Sequence, residues 1–257
     1  MLVDSHCHLD RIKLSESGLT LDEILASARA RKVEHFLCVC VDLDGFESMA
    51  ATVSPFDDVS VSCGVHPLYK SEYDYAQLRQ LASQAKVVAI GETGLDYHYS
   101  AETKDWQQKS FEQHCQLSVE LDKPLIVHTR NARQDTLDIL KNNQAEKAGG
   151  VLHCFTESLE MAKAAIELNF YISISGIVTF GNASELREVV KALPVERLLV
   201  ETDSPWLAPK PYRGKQNQPA YVHEVAQYVA DLKGISLAEL SRITTANFYQ
   251  LFNHIKN

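Results

Sequence analysis

A (β/α)₈ barrel is the fold this sequence predicts, and three observations predict it. Short β-rich runs alternate with longer amphipathic ones along 257 residues. Several of these runs are apolar throughout, as in Phe36 to Val41 and Val87 to Ile90, the composition of parallel strands covered on both faces. The length suits one closed barrel, and no internal repeat or low-complexity linker divides it, so residues 1–257 read as one domain.

Eight strands are expected: Leu2 to His6, Glu34 to Val41, Val59 to Gly64, Val87 to Gly91, Pro124 to His128, Gly150 to His153, Phe170 to Ser175 and Arg197 to Glu201. Helix-period segments lie between them, among them Leu21 to Arg31, Thr103 to Leu121, Ala132 to Leu140, Leu159 to Leu168 and Ser184 to Leu193. Two further helices, Tyr221 to Leu232 and Ser236 to Phe252, complete the outer layer, the second opened by Ser236 and Glu239 as a capping box. Ser204 to Gln218 carries Pro205, Pro209, Pro211 and Gly214, and so reads as a long irregular loop after the last strand.

The formal charge of −9 argues against a broad electrostatic footprint for duplex nucleic acid, although bound dications supply positive charge that a count of side chains misses. Six cysteines without repeated spacing, no leader-like opening and no apolar stretch of bilayer length point to reduced thiols and a cytoplasmic location, with no membrane partner.

A barrel carries its reactive groups where the strands stop. Here the apolar runs stop at His6-Cys7-His8, His66, Glu92, His128, His153 and Glu201-Thr202-Asp203. Residues two apart on a strand face the same way, so His6 and His8 converge while Cys7 turns aside. Imidazole nitrogens with carboxylate oxygens suit zinc, manganese, iron or cobalt, whereas magnesium or calcium alone favour more oxygen. His6, His8, Glu92, His128, His153 and Asp203 exceed the needs of one open catalytic zinc, and two cations account for the surplus, with Glu92 as the natural bridge.

These residues resemble the TatD-type metal-dependent deoxyribonucleases of the amidohydrolase-like superfamily. The likeness runs end to end through Asp4-Ser5-His6-Cys7-His8-Leu9-Asp10, Gly64-Val65-His66-Pro67, Gly91-Glu92-Thr93-Gly94-Leu95-Asp96, His128-Thr129-Arg130, His153-Cys154-Phe155, Glu201-Thr202-Asp203-Ser204-Pro205 and Arg213-Gly214-Lys215-Gln216-Asn217. The resemblance implies two divalent cations, zinc, manganese or magnesium. His6, His8, Glu92 and Asp203 would hold one; Glu92, His128 and His153 would hold the other. It also implies DNA as substrate, with exonuclease action on single-stranded ends.

The mechanism expected of such a site is attack on phosphorus by a metal-activated hydroxide, with Asp203 taking the proton, Glu92 bridging and His66 hydrogen-bonding the phosphate. Glu201, two residues before Asp203, is expected to orient a ligand histidine through its ring N–H. Asp96, Arg130, Arg213 and Lys215 are candidate substrate-binding residues, and Trp206, Tyr97 and Tyr212 either stack bases or pack. An esterase, lactonase or amidase of the amidohydrolase-like kind is the alternative, since the same chemistry attacks carbonyl carbon; a modified lysine at the bridge would favour it, and here that position is Glu92.

Overall fold

The structure, a computed structural model, describes residues 1–69 and 72–255, with Ser17 described by its backbone alone. Eight strands form one parallel sheet in sequence order: β1 (Leu2–Cys7), β2 (Val33–Cys38), β3 (Val59–Cys63), β4 (Val87–Asp96), β5 (Leu125–Arg130), β6 (Gly150–Leu152), β7 (Phe170–Ile174) and β8 (Leu198–Val200). A short turn, α1 (Leu14–Ser17), precedes α2 (Leu21–Ala30), and α3 (Leu43–Val53), α4 (Tyr75–Ala82), α5 (Lys104–Leu121), α6 (Arg133–Asn142), α7 (Leu159–Glu167) and α8 (Ser184–Ala192) lie between the strands. Helices α9 (Val222–Lys233) and α10 (Leu237–Leu251) follow the last strand. The expected (β/α)₈ barrel is what forms. Among the described residues no helix is long and apolar enough to cross a membrane, and all six cysteines are free.

The β8–β1 seam is fastened by polar groups. The Asp203 N–H donates to the His6 carbonyl at 2.9 Å, Ser5 Oγ donates to the Val200 carbonyl at 3.0 Å, and the buried Asp4 carboxylate accepts from Thr202 N–H at 2.8 Å and Oγ1–H at 2.6 Å. The side chains just before the site residues thereby close the barrel.

Helix ends follow local chemistry. Thr20 and Glu23 form a complete capping box at α2, which sequence reading passed over. At α10 the Ser236 hydroxyl accepts from the Glu239 N–H at 3.1 Å, the first half of the expected box. Helices α3 and α4 add to the segments anticipated from periodicity, each capped by an aspartate, Asp42 and Asp74.

Inside the barrel, Val3, Leu37, Val39, Val88, Ala89, Ile126, Val151, Tyr171 and Leu199 form an apolar layer, and Phe248, Leu251 and Phe252 from the end of α10 cover it. Most of these interior residues come from the starts of their strands, so this is the floor and the site lies at the opposite end.

Among the departures from regular strand register, one in β1 and one in β4 build the site. Val3 packs inside the barrel and Cys7 packs in the outer layer, although residues four apart on a regular strand share a face. The reason is an extra residue: the register advances from Asp4↔Phe36 to Cys7↔Cys38, three steps against two. His6 and His8 are thereby turned inward with Cys7 outward. In β4 the register likewise advances from Ile90↔Leu125 to Thr93↔Val127, so Ile90 lies in the outer layer while Glu92 points to the axis. Gly91 occupies that slip at φ 143°, where a Cβ would come within 2.5 Å of the Ile126 carbonyl oxygen.

Truncating the floor tests this packing. Phe248→Ala is expected to cost about 3–5 kcal/mol. Urea unfolding should show a lower midpoint with an unchanged slope.

Candidate metal centre

Three stretches hang from the chain just past β2. The Val39 N–H donates to the Cys7 carbonyl at 2.8 Å, the Cys40 carbonyl accepts from the Glu92 N–H at 2.8 Å, and the Val41 carbonyl accepts from the His66 N–H at 2.9 Å. The regular strand was expected to reach Val41, yet pairing ends at Cys38 because the following backbone groups serve these site residues instead. Strand β4, expected to stop at Gly91, runs on to Asp96, so Glu92 lies within a strand and not beyond one.

Glu92 is the hub, with five imidazoles around a carboxylate that is only 3% exposed. Its Oε2 lies 3.4 Å from His6 Nε2 and 3.8 Å from His8 Nε2. Its Oε1 lies 2.7 Å from His153 Nε2, 3.2 Å from His66 Nε2 and 3.6 Å from His128 Nδ1. Asp203 Oδ1 joins the first group, 3.8 Å from His6 Nε2 and 3.4 Å from His8 Nε2, and those two nitrogens are 3.1 Å apart.

A cation bonded tetrahedrally at 2.0–2.2 Å holds its ligands about 3.3–3.6 Å from one another. The donor separations around Glu92 Oε2, from 3.1 to 3.8 Å, scatter about that value. The tautomers agree with ligation. His8 Nδ1 donates to the Val39 carbonyl at 2.9 Å and His128 Nε2 donates to Asp96 Oδ2 at 3.0 Å, which leaves His8 Nε2 and His128 Nδ1 as lone pairs facing Glu92. His6 Nδ1 and both ring nitrogens of His153 are buried without a well-aligned protein partner, even though His153 Nε2 comes so close to Glu92. Of these atoms His153 Nε2 is the one that faces Glu92, and an orphaned buried donor atom in that position is what a cation would engage.

The electrostatics are equally one-sided. Burial alone would raise the Glu92 carboxyl, but His153 and His66 hold it well below the usual carboxylate range. Burial alone would lower His153, but Glu92 and then Glu201 hold it well above the ordinary imidazole range. Protons on the imidazoles or bound dications can balance these acids, and the nitrogen and oxygen donor set fits dications.

The remaining predicted residues divide by position. Glu201 is fully buried, accepts the Cys154 N–H at 2.7 Å and stands 3.5 Å from His153 Nδ1, within reach of the ring it was expected to orient. Asp96 borders the site, but its oxygens are engaged by His128 and by the N–H groups of His98 and Tyr99 at 3.0 and 2.9 Å. Arg130 lines two adjoining cavities of about 450 and 470 Å³ at the mouth. Arg213 lies over the Phe180 ring, 3.7 Å from its centre, and neither it nor Lys215 lines either cavity. Tyr97 gives its hydroxyl to Asp135 and Tyr212 stacks on Tyr221, so both pack, whereas Trp206 stands at the mouth beside His8.

Sequence reading passed over two buried supports. Asn217 Nδ2 donates to the carbonyls of Thr202, at 2.8 Å, and Trp206, at 2.5 Å, clamping the turn that carries Asp203. His114 faces the Ser110 carbonyl through Nδ1 at 2.7 Å, so that Nε2 accepts the Val65 N–H at 3.0 Å, beside His66. In the sequence His114 reads as an ordinary polar residue of a helix, and Asn217 only as the last member of the motif that begins at Arg213.

Imidazoles and acids gathered around one buried carboxylate at the open end of such a barrel define a metal-dependent hydrolase. The sequence matches the family described as TatD related DNase over residues 3–253, and the chain belongs to that family. It is 54% identical over 253 residues to YcfH of Escherichia coli strain K12, called an uncharacterized metal-dependent hydrolase, covering 98% of this chain and 96% of that protein. It is 41% identical over 255 residues to the similarly described YabD of Bacillus subtilis strain 168, covering 98% and 99%. The crystal structure of YJJV, a TatD homolog from Escherichia coli K12, superposes with a TM-score of 0.90 at 28% identity, covering 98% of both chains.

Two supports make predictions. Asn217→Leu removes both clamp bonds and should weaken metal binding about 10- to 100-fold in chelator competition. Burial pushes His114 down to about 4 from its ordinary value of 6.5. The unfolded chain therefore takes up this proton first as pH falls. The stability that neutral His114 contributes is whole above pH 6.5 and is lost progressively toward pH 4, roughly 3 kcal/mol in all. Urea unfolding at pH 7 and pH 4.5 should show a larger loss for the wild type than for His114→Gln.

Proposed function

We propose that this chain hydrolyses DNA phosphodiester bonds at single-stranded ends in the cytoplasm, using two divalent cations. The observation that supports this reading most is the division of Glu92: one oxygen faces His6, His8 and Asp203 while the other faces His66, His128 and His153. One cation would be held by His6, His8, Glu92 and Asp203, the other by Glu92, His128 and His153. Bound there, the cations supply Lewis-acid activation of water and neutralise charge on a phosphoryl oxygen.

The chain's own groups do the rest. Burial alone would raise the Asp203 carboxyl, but His8 and His6 hold it below its ordinary value, so it is ionised and able to accept the proton of the attacking water. His66 Nε2 faces the cluster from the side opposite His6 and His8 and donates to a phosphate oxygen. Its Nδ1 accepts the Leu68 N–H at 3.1 Å, which puts the proton on Nε2. Arg130 at the rim gives its fork to the next phosphate. The site residues are recessed, so a phosphate must descend to them. A free single-stranded end can thread into the recess, whereas a duplex keeps its bases stacked and its backbone on a stiff cylinder.

Glu92→Ala should lose metal, read by elemental analysis, and lower hydrolysis by on the order of a thousandfold. The assay pairs end-labelled single-stranded DNA with duplex DNA, RNA and a chromogenic ester under each candidate cation. Turnover of the ester without any phosphodiester cleavage would replace this reading with the esterase one, and full metal content in the variant would remove Glu92 from the centre.

A further inference from the structure

Three aromatic side chains are exposed among the described residues: Tyr69 at 39%, Tyr99 at 62% and Trp206 at 50%. All three line the same cavity of about 470 Å³, the one that also holds His8, His66, Glu92, His128, His153 and Asp203. They come from three different loops, following β3, β4 and β8. Large aromatic surface is ordinarily withdrawn from water, so its concentration around one opening points to a ligand.

Their placement follows one rule. Each aromatic sits three residues after a residue of the candidate centre, and its backbone N–H bonds back to that residue. Tyr69 donates to the His66 carbonyl at 2.9 Å, Tyr99 to Asp96 Oδ1 at 2.9 Å and Trp206 to the Asp203 carbonyl at 3.0 Å. The turn so formed lifts each ring to the rim directly beside the cluster. The turns are fixed from below. Gln107 accepts the Asp96 N–H and donates to the Ser100 carbonyl, at 2.7 and 2.8 Å, while Asn217 holds the Trp206 carbonyl. Charge accompanies the rings, with the Arg130 guanidinium 4.7 Å from the centre of the Tyr99 ring and that of Arg11 5.9 Å from the centre of Tyr69.

We propose that Tyr69, Tyr99 and Trp206 form a base-stacking subsite that receives the unpaired nucleobase next to the scissile phosphate. This rests on the phosphodiesterase reading above. The ligand that combines a flat π face with an anionic group within one small cavity is a nucleotide. A paired base is held by its partner's edge and by the stack beneath it and cannot enter a recess alone, so the subsite selects frayed or single-stranded ends, and every base offers a face, so it selects little by sequence.

Tyr69→Ala, Tyr99→Ala, Trp206→Ala and Trp206→Phe would be assayed as metal-loaded enzymes on an end-labelled oligothymidylate and on the same strand ending in a tetrahydrofuran abasic nucleotide. Each alanine variant should raise KM about 5- to 50-fold on the normal end. Its kcat should stay within about threefold, its metal content should match wild type, and the abasic end should show no added penalty; Trp206→Phe should restore most of the loss. Since the chain has two tryptophans, Trp106→Phe leaves Trp206 as the sole tryptophan, which is excited selectively at wavelengths where tyrosine does not absorb. Its fluorescence should be quenched by a phosphorothioate oligothymidylate and not by an abasic oligomer of equal charge.

Equal losses on both ends, no loss on either, or quenching that ignores the base would overturn the subsite while leaving the nuclease reading intact. If the wild-type enzyme cleaves no phosphodiester at all, that reading fails and the subsite falls with it.

Discussion

Contact between one buried carboxylate and five imidazoles is the interaction on which the rest of the molecule is arranged. Glu92 reaches His6, His8, His66, His128 and His153 at 2.7 to 3.8 Å, and each comes from a different part of the chain or from the β1 pair. Such a cluster is costly to bury unless its charge is balanced. The barrel meets that demand in layers: apolar side chains at the floor, Ser5, Ser173 and Asp4 across the middle, and the donors at the open end.

Irregular backbone delivers the donors. A regular β1 could not have put Val3 and the His6/His8 pair on the same side, nor a regular β4 have put Ile90 and Glu92 on opposite sides. One extra residue in each strand reconciles an apolar lower barrel with a polar mouth. The cost is confined to positions such as Gly91, where no side chain could follow.

Much of this was legible in the sequence because it depends on period and chemistry. Eight β-rich runs announce the strands, and the rule of two brings His6 and His8 together although the register slips between Asp4 and Cys7. The exact end of β4 was not legible, because Glu92 within a strand and Glu92 after one read alike. What the Arg213 loop rests on was not legible for a related reason. Arg213 has the composition of a phosphate grip, but its guanidinium rests on Phe180, a neighbour 33 positions away that no local pattern reveals. Asn217, in the same motif, is the member that reaches the site, through the backbone of Thr202 and Trp206. The aromatic rim lies between these cases: the spacing from His66 to Tyr69, Asp96 to Tyr99 and Asp203 to Trp206 is written in the chain, but only the exposure of the rings gives it meaning.

The floor of the barrel has a consequence for how the protein is made. Phe248, Leu251 and Phe252 cover the interior layer, yet α10 follows all eight strands in the chain. On the ribosome, where residues appear from the N-terminus onward, the strands emerge while their cover is still being translated. During that interval the nascent cylinder shows water an open apolar end, and it is then, more than in the finished enzyme, that chaperones and proteases have something to recognise.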